Sequence, residues 1–173
     1  MTLLYELKFF DYWHLGSGLS AGAKFDSSVT KDNNDIPYAS GKTIKGLARE
    51  MAELLHDDDF VKRCFGEEGV DNGICYFKNA QLPKIEREEI ISNKLQNHLY
   101  DTIASTQIKD GIAVDDSLRE IEVAVPMSLY GEILDIEEND YLKLKESLKV
   151  IKRMGLNRNR GLGRCQFIVG EKR

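Results

Sequence analysis

The chain has 173 residues, of which 42% are hydrophobic and 31% are charged, and it carries a formal net charge of −5. A chain of this length and composition is typical of one globular domain, and it excludes disordered, fibrous and collagen-like proteins. The net negative charge argues against a protein that coats nucleic acid through bulk electrostatics, although a local basic surface can still bind it.

The N-terminal stretch is apolar but is interrupted by Glu6, Lys8 and Asp11, so we expect neither a signal peptide nor a membrane helix. No apolar run approaches the roughly 20 residues that span a bilayer. The chain has three cysteines, which are far apart: Cys64, Cys75 and Cys165. An odd number of distant cysteines predicts reduced thiols, and we therefore expect a cytoplasmic protein that does not contact membranes.

The first half of the chain predicts a strand, a loop, a helix and a second strand. Residues 3–10 alternate apolar and polar side chains, as in a strand with one buried face. Residues 16–22 are rich in glycine, which predicts a loop. Ser40 is placed to cap a helix with apolar residues at helical spacing. This helix is expected to fray around residues 56–59, because three aspartates there disfavour a helix C-terminus. Residues 74–80 predict the second strand.

The second half begins with residues 84–116, which are polar and mixed and carry no clear periodicity. Residues 118–127 alternate apolar and mostly acidic side chains, which predicts a strand with Glu122 on its polar face. The remaining predicted elements are a nearby strand at 129–136, a helix from Asn139 to Met154 followed by Gly155 at its C′ position, and a strand at 164–169.

The principal elements follow the order strand, helix, strand, strand, helix, strand. This order is that of the α+β ferredoxin-like (RRM-like) βαββαβ fold. We predict a single domain over residues 1–173, with residues 84–116 inserted between its second and third strands. Long insertions without clear structure are usually functional or mobile.

Positive charge is concentrated in two places. Residues 150–165 hold five basic side chains and no acid: Lys152, Arg153, Arg158, Arg160 and Arg164. The last three of these lie in or next to a glycine-bounded loop, where guanidinium groups can grip phosphate.

The second basic set, Lys42, Lys45 and Arg49, follows one face of the helix that starts after Ser40. Its first turns lie at the positive end of the helix dipole, which attracts anions. The basic loop alone is equally consistent with a solvated surface, and three basic residues on a helix usually form an ordinary exposed face. Together they favour RNA over a small anion or duplex DNA, since no recognition helix or zinc module is evident.

The sequence resembles the N-terminal signature of the RAMP superfamily, the repeat-associated proteins of CRISPR effector complexes. The similarity rests on Leu15-Gly16-Ser17-Gly18, on the segment from Phe25 to Asp32, and on the spacing Pro37-x-x-x-Gly41-x-x-x-Lys45-Gly46-x-x-Arg49. At the other end of the chain, residues 118–122 and the glycine-rich stretch 155–163 resemble later parts of the same pattern. Within the superfamily, the chain is most similar to the backbone subunit of type III complexes.

This resemblance implies an RNA-guided endoribonuclease. Asp26, in the segment Asp26-Ser27-Ser28-Val29, takes the place of the family's catalytic aspartate and implies cleavage of target RNA with a divalent metal ion, Mg²⁺. The implied partners are guide crRNA, target RNA, further copies of the chain and other effector subunits, and residues 84–116 would form the thumb. The RNA-binding residues expected on this basis are Gly16, Gly18, Lys42, Lys45, Arg49, Arg158, Arg160, Gly161, Gly163 and Arg164.

Two other functions remain open at this point. A structural or capping subunit of the same complex would bind RNA through the same basic elements and cut nothing. A guide-RNA-processing endoribonuclease of the superfamily often uses a histidine near the glycine-rich loop, which would be His14 here. A nucleotide-binding P-loop is excluded, because Pro37 stands where that motif requires its first glycine.

Overall fold

In a computed structural model of the chain, the described residues are 1–16, 27–67, 69–106, 108–109, 112–113 and 119–170. The central sheet has four antiparallel strands in the order β2–β7–β1–β8, where β1 is Leu3–Phe9, β2 is Tyr76–Phe77, β7 is Ser128–Leu134 and β8 is Cys165–Val169. The helices that connect these strands are α1 (Gly41–Leu55), α2 (Asp58–Phe65) and α4 (Tyr141–Lys149). This arrangement is the βαββαβ ferredoxin-like fold, so the predicted fold class is confirmed.

The core lies between one face of this sheet and the helices. In β1, Leu3, Tyr5, Leu7 and Phe9 are buried, as the alternation predicts, and they pack against buried side chains such as Ile44 of α1. The other face of the sheet carries no helix from the described part of the chain. Leu4 on that face is 53% exposed.

Local capping sets the helix boundaries. The Ser40 hydroxyl accepts a hydrogen bond from the Thr43 amide at 3.1 Å, which confirms Ser40 as the N-cap of α1. Helix α1 ends at Leu55 with His56 as its C-cap, next to residues 56–59 where its end was expected, and Asp57 caps the next helix. Its carboxylate accepts from the Phe60 amide at 3.0 Å, and negative charge is favourable at this helix start.

The chain between β2 and β7 forms elements that are not part of the central sheet. It contains α3 (Lys84–Ser92), a 3₁₀ turn (Gln96–Leu99), β3 (Tyr100–Ser105), the short hairpin of β4 (Ile108–Lys109) and β5 (Ile112–Ala113), and β6 (Arg119–Ala124). Strands β3 and β6 pair with each other and not with the central sheet.

The prediction that residues 118–127 form the third strand of the core is therefore wrong. That place belongs to β7, whose Leu129 and Ile133 are buried beside β1. Residues 118–127 and β7 alternate equally well, so periodicity does not distinguish them. Strand β6 pairs with β3, whose own sequence gives no periodic signal, and not with the central sheet. The second strand is also shorter than predicted, with two residues in the ladder and a separate bridge from Ala80 to Ala39.

The last helix is shorter than the predicted 139–154. It begins after Asp140 and ends at Lys149. Leu142, which the helical spacing of Leu142, Leu148, Ile151 and Met154 predicts to face inward, is 66% exposed. Ile151 and Met154 are buried as expected, but they lie on an irregular segment beyond the helix. No helix in the described part of the chain is long and apolar enough to cross a membrane.

Candidate nucleic-acid interface

The C-terminal glycine-rich stretch lies against residues 12–14, although the two segments are far apart in the chain. The His14 carbonyl accepts from the Leu156 amide at 2.9 Å, and the Tyr12 carbonyl accepts from the Gly163 amide at 2.8 Å. Gly155 adopts φ +88°, and a Cβ at this position would lie 2.2 Å from the His14 carbonyl oxygen. Gly155 is thus required for this docking, and not as the C′ residue of a helix as predicted.

The docked loop presents its two central arginines to solvent. Arg158 and Arg160 are exposed, and neither forms an ion pair with another residue in the described ranges. Gly161 has φ +90°, and Gly163 has φ +69° with its would-be Cβ 1.9 Å from the Met154 carbonyl oxygen. These two glycines shape the loop, and the arginines are the groups that are free to bind an anion.

Arg164 follows this loop, and its guanidinium already contacts two residues of the protein. Its guanidinium lies 3.1 Å from the Asp11 carboxylate and 5.4 Å from the centroid of the Phe10 ring. The side chain is still 62% exposed, so an external phosphate can compete with Asp11 for it.

The three basic residues predicted on one face of α1 differ in whether other residues already bind their charged groups. Lys42 is exposed and has no acidic partner among the described residues. The Lys45 ammonium donates to the Asn72 carbonyl, and the Arg49 guanidinium donates to Glu53 at 2.7 Å. Lys42 and Lys45 line a cleft of about 500 Å³ at the start of the helix. The two lysines are therefore better placed than Arg49 to meet a phosphate.

A buried polar network, which the sequence does not reveal, holds the chain that follows the N-terminal glycine-rich segment. The Glu122 side chain is 8% exposed, and its carboxylate accepts from the Val29 amide at 3.1 Å and from the Lys31 ammonium at 2.8 Å. The Glu122 amide donates to the Ser27 carbonyl at 3.2 Å. The alternation that places Glu122 on the polar face of its strand does not predict its burial, because its partners are remote in sequence.

His14 belongs to the same network. Its Nδ1 lies 2.6 Å from the Glu122 carbonyl oxygen, which fixes the proton on Nδ1, and its Nε2 lies 2.8 Å from the Ser27 hydroxyl. The residue is 1% exposed. With both ring nitrogens occupied and the ring buried, His14 has no nitrogen left to contact a substrate.

The aromatic ring of Tyr100 lies beside this network. The Lys31 ammonium lies 4.0 Å from the centroid of its ring, and its hydroxyl donates to the Asp35 carbonyl at 2.7 Å. Burial raises the pKa of the Tyr100 hydroxyl well above its usual value, so it remains a neutral hydrogen-bond donor. Glu122 fits the alternation of residues 118–127 as an exposed acid would, so the sequence carries no signal of its burial.

Of the ten predicted RNA-binding residues, Gly18 lies outside the described residues, as does the predicted catalytic Asp26. Gly16 is described and bridges to Val29, so both flanks of residues 17–26 are held in place. Among the described residues, no group of three or more His, Cys, Asp or Glu side chains is arranged to hold a metal ion. The expected divalent ion depends on Asp26, which lies outside the described residues, so this ion stays a prediction.

Three comparisons place the chain among known proteins. A family model described as the RAMP superfamily matches residues 6–166. A chain from a cryo-EM structure of the type III-B Cmr-β complex bound to cognate target RNA is 10% identical, with a TM-score of 0.77 over 98% of this chain and 97% of that one. A chain from the apo state of Cmr-β is 11% identical, with a TM-score of 0.74 over 99% and 98%. At such low sequence identity, these TM-scores show a shared fold. No curated protein matches the sequence.

Proposed function

Because the chain belongs to the RAMP superfamily, we propose that it is an RNA-binding backbone subunit of a cytoplasmic type III CRISPR effector complex. In this proposal it binds guide crRNA through phosphate contacts, pairs with copies of itself and with other effector subunits, and cleaves the target RNA at Asp26. Base pairing with the guide supplies sequence specificity, and the protein reads the backbone.

The observation that carries this proposal is the docked glycine loop. It brings the C-terminal basic stretch against residues 12–14 and leaves Arg158 and Arg160 exposed without acidic partners among the described residues. Exposed guanidinium groups without partners are suited to bidentate contacts with phosphate oxygens. The fold shared with chains of Cmr-β complexes, one of them bound to cognate target RNA, supports the same function.

Asp26 is proposed as the catalytic residue on the sequence pattern alone. Its carboxylate would orient the ribose 2′-hydroxyl of the target for attack on the adjacent phosphate. Dependence of this cleavage on a divalent cation such as Mg²⁺ is part of the proposal and is tested by adding EDTA to the assembled complex.

The geometry of His14 argues against the processing endoribonuclease. A general base must come within hydrogen-bond reach of the proton that it removes. His14 is 1% exposed and both of its ring nitrogens are engaged within the protein. Precursor RNA cleavage that persists in the His14→Asn variant would agree with this reading.

The decisive experiment replaces Asp26 with Asn in the assembled complex and measures cleavage of a labelled target RNA paired to the guide. We expect loss of cleavage with assembly and RNA content unchanged. The matched control is Asp59→Asn, an exposed aspartate in the first turn of α2. Unchanged cleavage in Asp26→Asn would instead identify a structural or capping subunit.

A further inference from the structure

The uncovered face of the central sheet carries a basic aromatic patch where β1 ends and β8 begins. Phe10 is 40% exposed at the end of β1. Four basic side chains accompany it: Lys8, Lys152, Arg153 and Arg164. We call this set the Phe10 patch. Arg164 is the one member among the ten residues predicted to bind RNA, and Lys152 and Arg153 belong to the basic set of residues 150–165.

Three backbone segments bring the Phe10 patch together. The Phe10 amide donates to the Arg164 carbonyl at 2.9 Å, which continues the pairing of β1 with β8. Arg153 forms an antiparallel bridge with Arg164, and the Cys165 amide donates to the Lys152 carbonyl at 2.9 Å. Since directly paired residues lie on the same side of a ladder, Arg153 and Arg164 share the face that carries Phe10.

Two of the four cations lie over the ring. The Lys8 ammonium lies 5.5 Å and the Arg164 guanidinium carbon 5.4 Å from the centroid of Phe10. Asp11 is the acid that pairs with this cluster, and Arg153 has no ion pair with another described residue. The patch therefore keeps a surplus of positive charge beside an exposed aromatic surface.

A cleft of about 430 Å³ lies over the patch, lined by Phe10, Lys152, Arg153, Arg164, Cys165 and Gln166. This volume is within the range of sites for small ligands, roughly 300–1,000 Å³. The lining combines an aromatic face, guanidinium groups and an amide, which are the groups that stack on and hydrogen-bond to nucleobases.

We propose that the Phe10 patch is a subsite for single-stranded RNA. One unpaired base stacks on Phe10, and the flanking phosphates contact Arg153, Lys152 and Arg164. This subsite rests on the proposed RNA-binding function and adds to it a place on the sheet face, away from α1, where a base and not only a phosphate is recognised. An acidic protein segment would use the cations but would gain little from the ring.

The test compares binding of a short fluorescein-labelled oligouridine to the full chain and to Phe10→Ala, by fluorescence anisotropy. Loss of one base–aromatic stack should weaken binding by at least fivefold, from the usual range of roughly 5- to 150-fold. Phe10→Tyr should restore binding to within about twofold, because it keeps the ring. The matched control is Tyr130→Ala, an aromatic residue 48% exposed on the same sheet face beside Leu4 and Ile168.

If thermal melting shows that Phe10→Ala is not folded, a second variant tests the same subsite. Arg153→Ala should lower the slope of log affinity against log salt by about 0.7, the value for one phosphate contact on a single strand. Oligouridine binding that is equal in wild type, Phe10→Ala and Arg153→Ala would overturn the subsite and leave RNA binding intact.

Two further outcomes are distinct. No binding of oligouridine by the wild-type chain, alone or with its partner subunits, would overturn both the subsite and the proposed function. Loss of subunit association in Phe10→Ala with unchanged RNA affinity would overturn the subsite and identify the patch as a protein contact.

Discussion

Replacing Glu122 with alanine tests the buried network most directly. The substitution removes the acceptor of the Val29 amide and the partner of the Lys31 ammonium, which is 28% exposed. An unsatisfied buried amide costs about 1–3 kcal/mol, and breaking a buried ion pair costs about 3–5 kcal/mol in total. Because Lys31 can recover part of its hydration, we expect a loss of about 3 kcal/mol in the free energy of unfolding.

For a domain of this size, about 3 kcal/mol corresponds to a fall in Tm of roughly 6–12 °C. Thermal and urea unfolding, followed by circular dichroism, measure both quantities. Glu122→Gln keeps an acceptor for the Val29 amide but loses the charge, so it should cost about half as much. The control Glu53→Ala breaks only the exposed pair with Arg49 and should cost about 0.3–0.5 kcal/mol.

The reasoning would be refuted by a loss below about 1 kcal/mol in Glu122→Ala, or by a loss equal to that in Glu53→Ala. A double-mutant cycle with Lys31→Ala separates the ion pair from the amide contact. We expect a coupling energy above about 1 kcal/mol, whereas independent sites add to within about 0.5 kcal/mol.

Four further predictions concern the loop, the charges and the thiols. Gly155→Ala should be destabilised by more than about 1 kcal/mol, because φ is +88° and the new Cβ would meet the His14 carbonyl; unchanged Tm would contradict the docking. The hydrogen bond from Lys143 lowers the pKa of Asp57 to about 2. The ionised Asp57 carboxylate therefore stabilises the fold fully above about pH 4, and this stabilisation is lost as pH falls toward 2. The Tm difference between wild type and Asp57→Asn should shrink over that window. Burial raises the pKa of Cys165 to about 12, so a thiol reagent should modify it only after unfolding, and rapid labelling of the native chain would contradict this. Arg160→Glu should weaken RNA binding equally for all sequences, and a sequence-selective loss would exclude a phosphate contact.

The parts of the fold that local signals determine could be predicted from the sequence. The alternation of residues 3–10 gave β1 and its buried face, and Ser40 gave the start of α1 through a cap that its own neighbours complete. These signals depend on side chains within a few positions of one another, and a single sequence contains them.

The features that failed depend on partners remote in the chain. Residues 118–127 and β7 both alternate, and their assignment to different sheets is decided by pairing with β3. Glu122 is buried because Lys31 and Val29 reach it from more than 90 positions away. A periodicity shows which side chains share a face, but it does not show what that face meets.

The candidate site was only partly predictable for the same reason. The composition of residues 150–165 indicated a basic loop, but only the structure shows that it docks on residues 12–14 and leaves Arg158 and Arg160 unpaired among the described residues. Sequence alone also treated Lys42, Lys45 and Arg49 as equivalent, whereas Arg49 is paired with Glu53.

The central claim is that this chain is an RNA-guided subunit, and sequencing the RNA that co-purifies with it tests that claim most directly. The protein would be purified in low salt, both alone and with the products of neighbouring genes. The account predicts short RNAs that share a repeat-derived 5′ tag and that are lost in Arg158→Glu/Arg160→Glu. Absence of RNA in both preparations would contradict it.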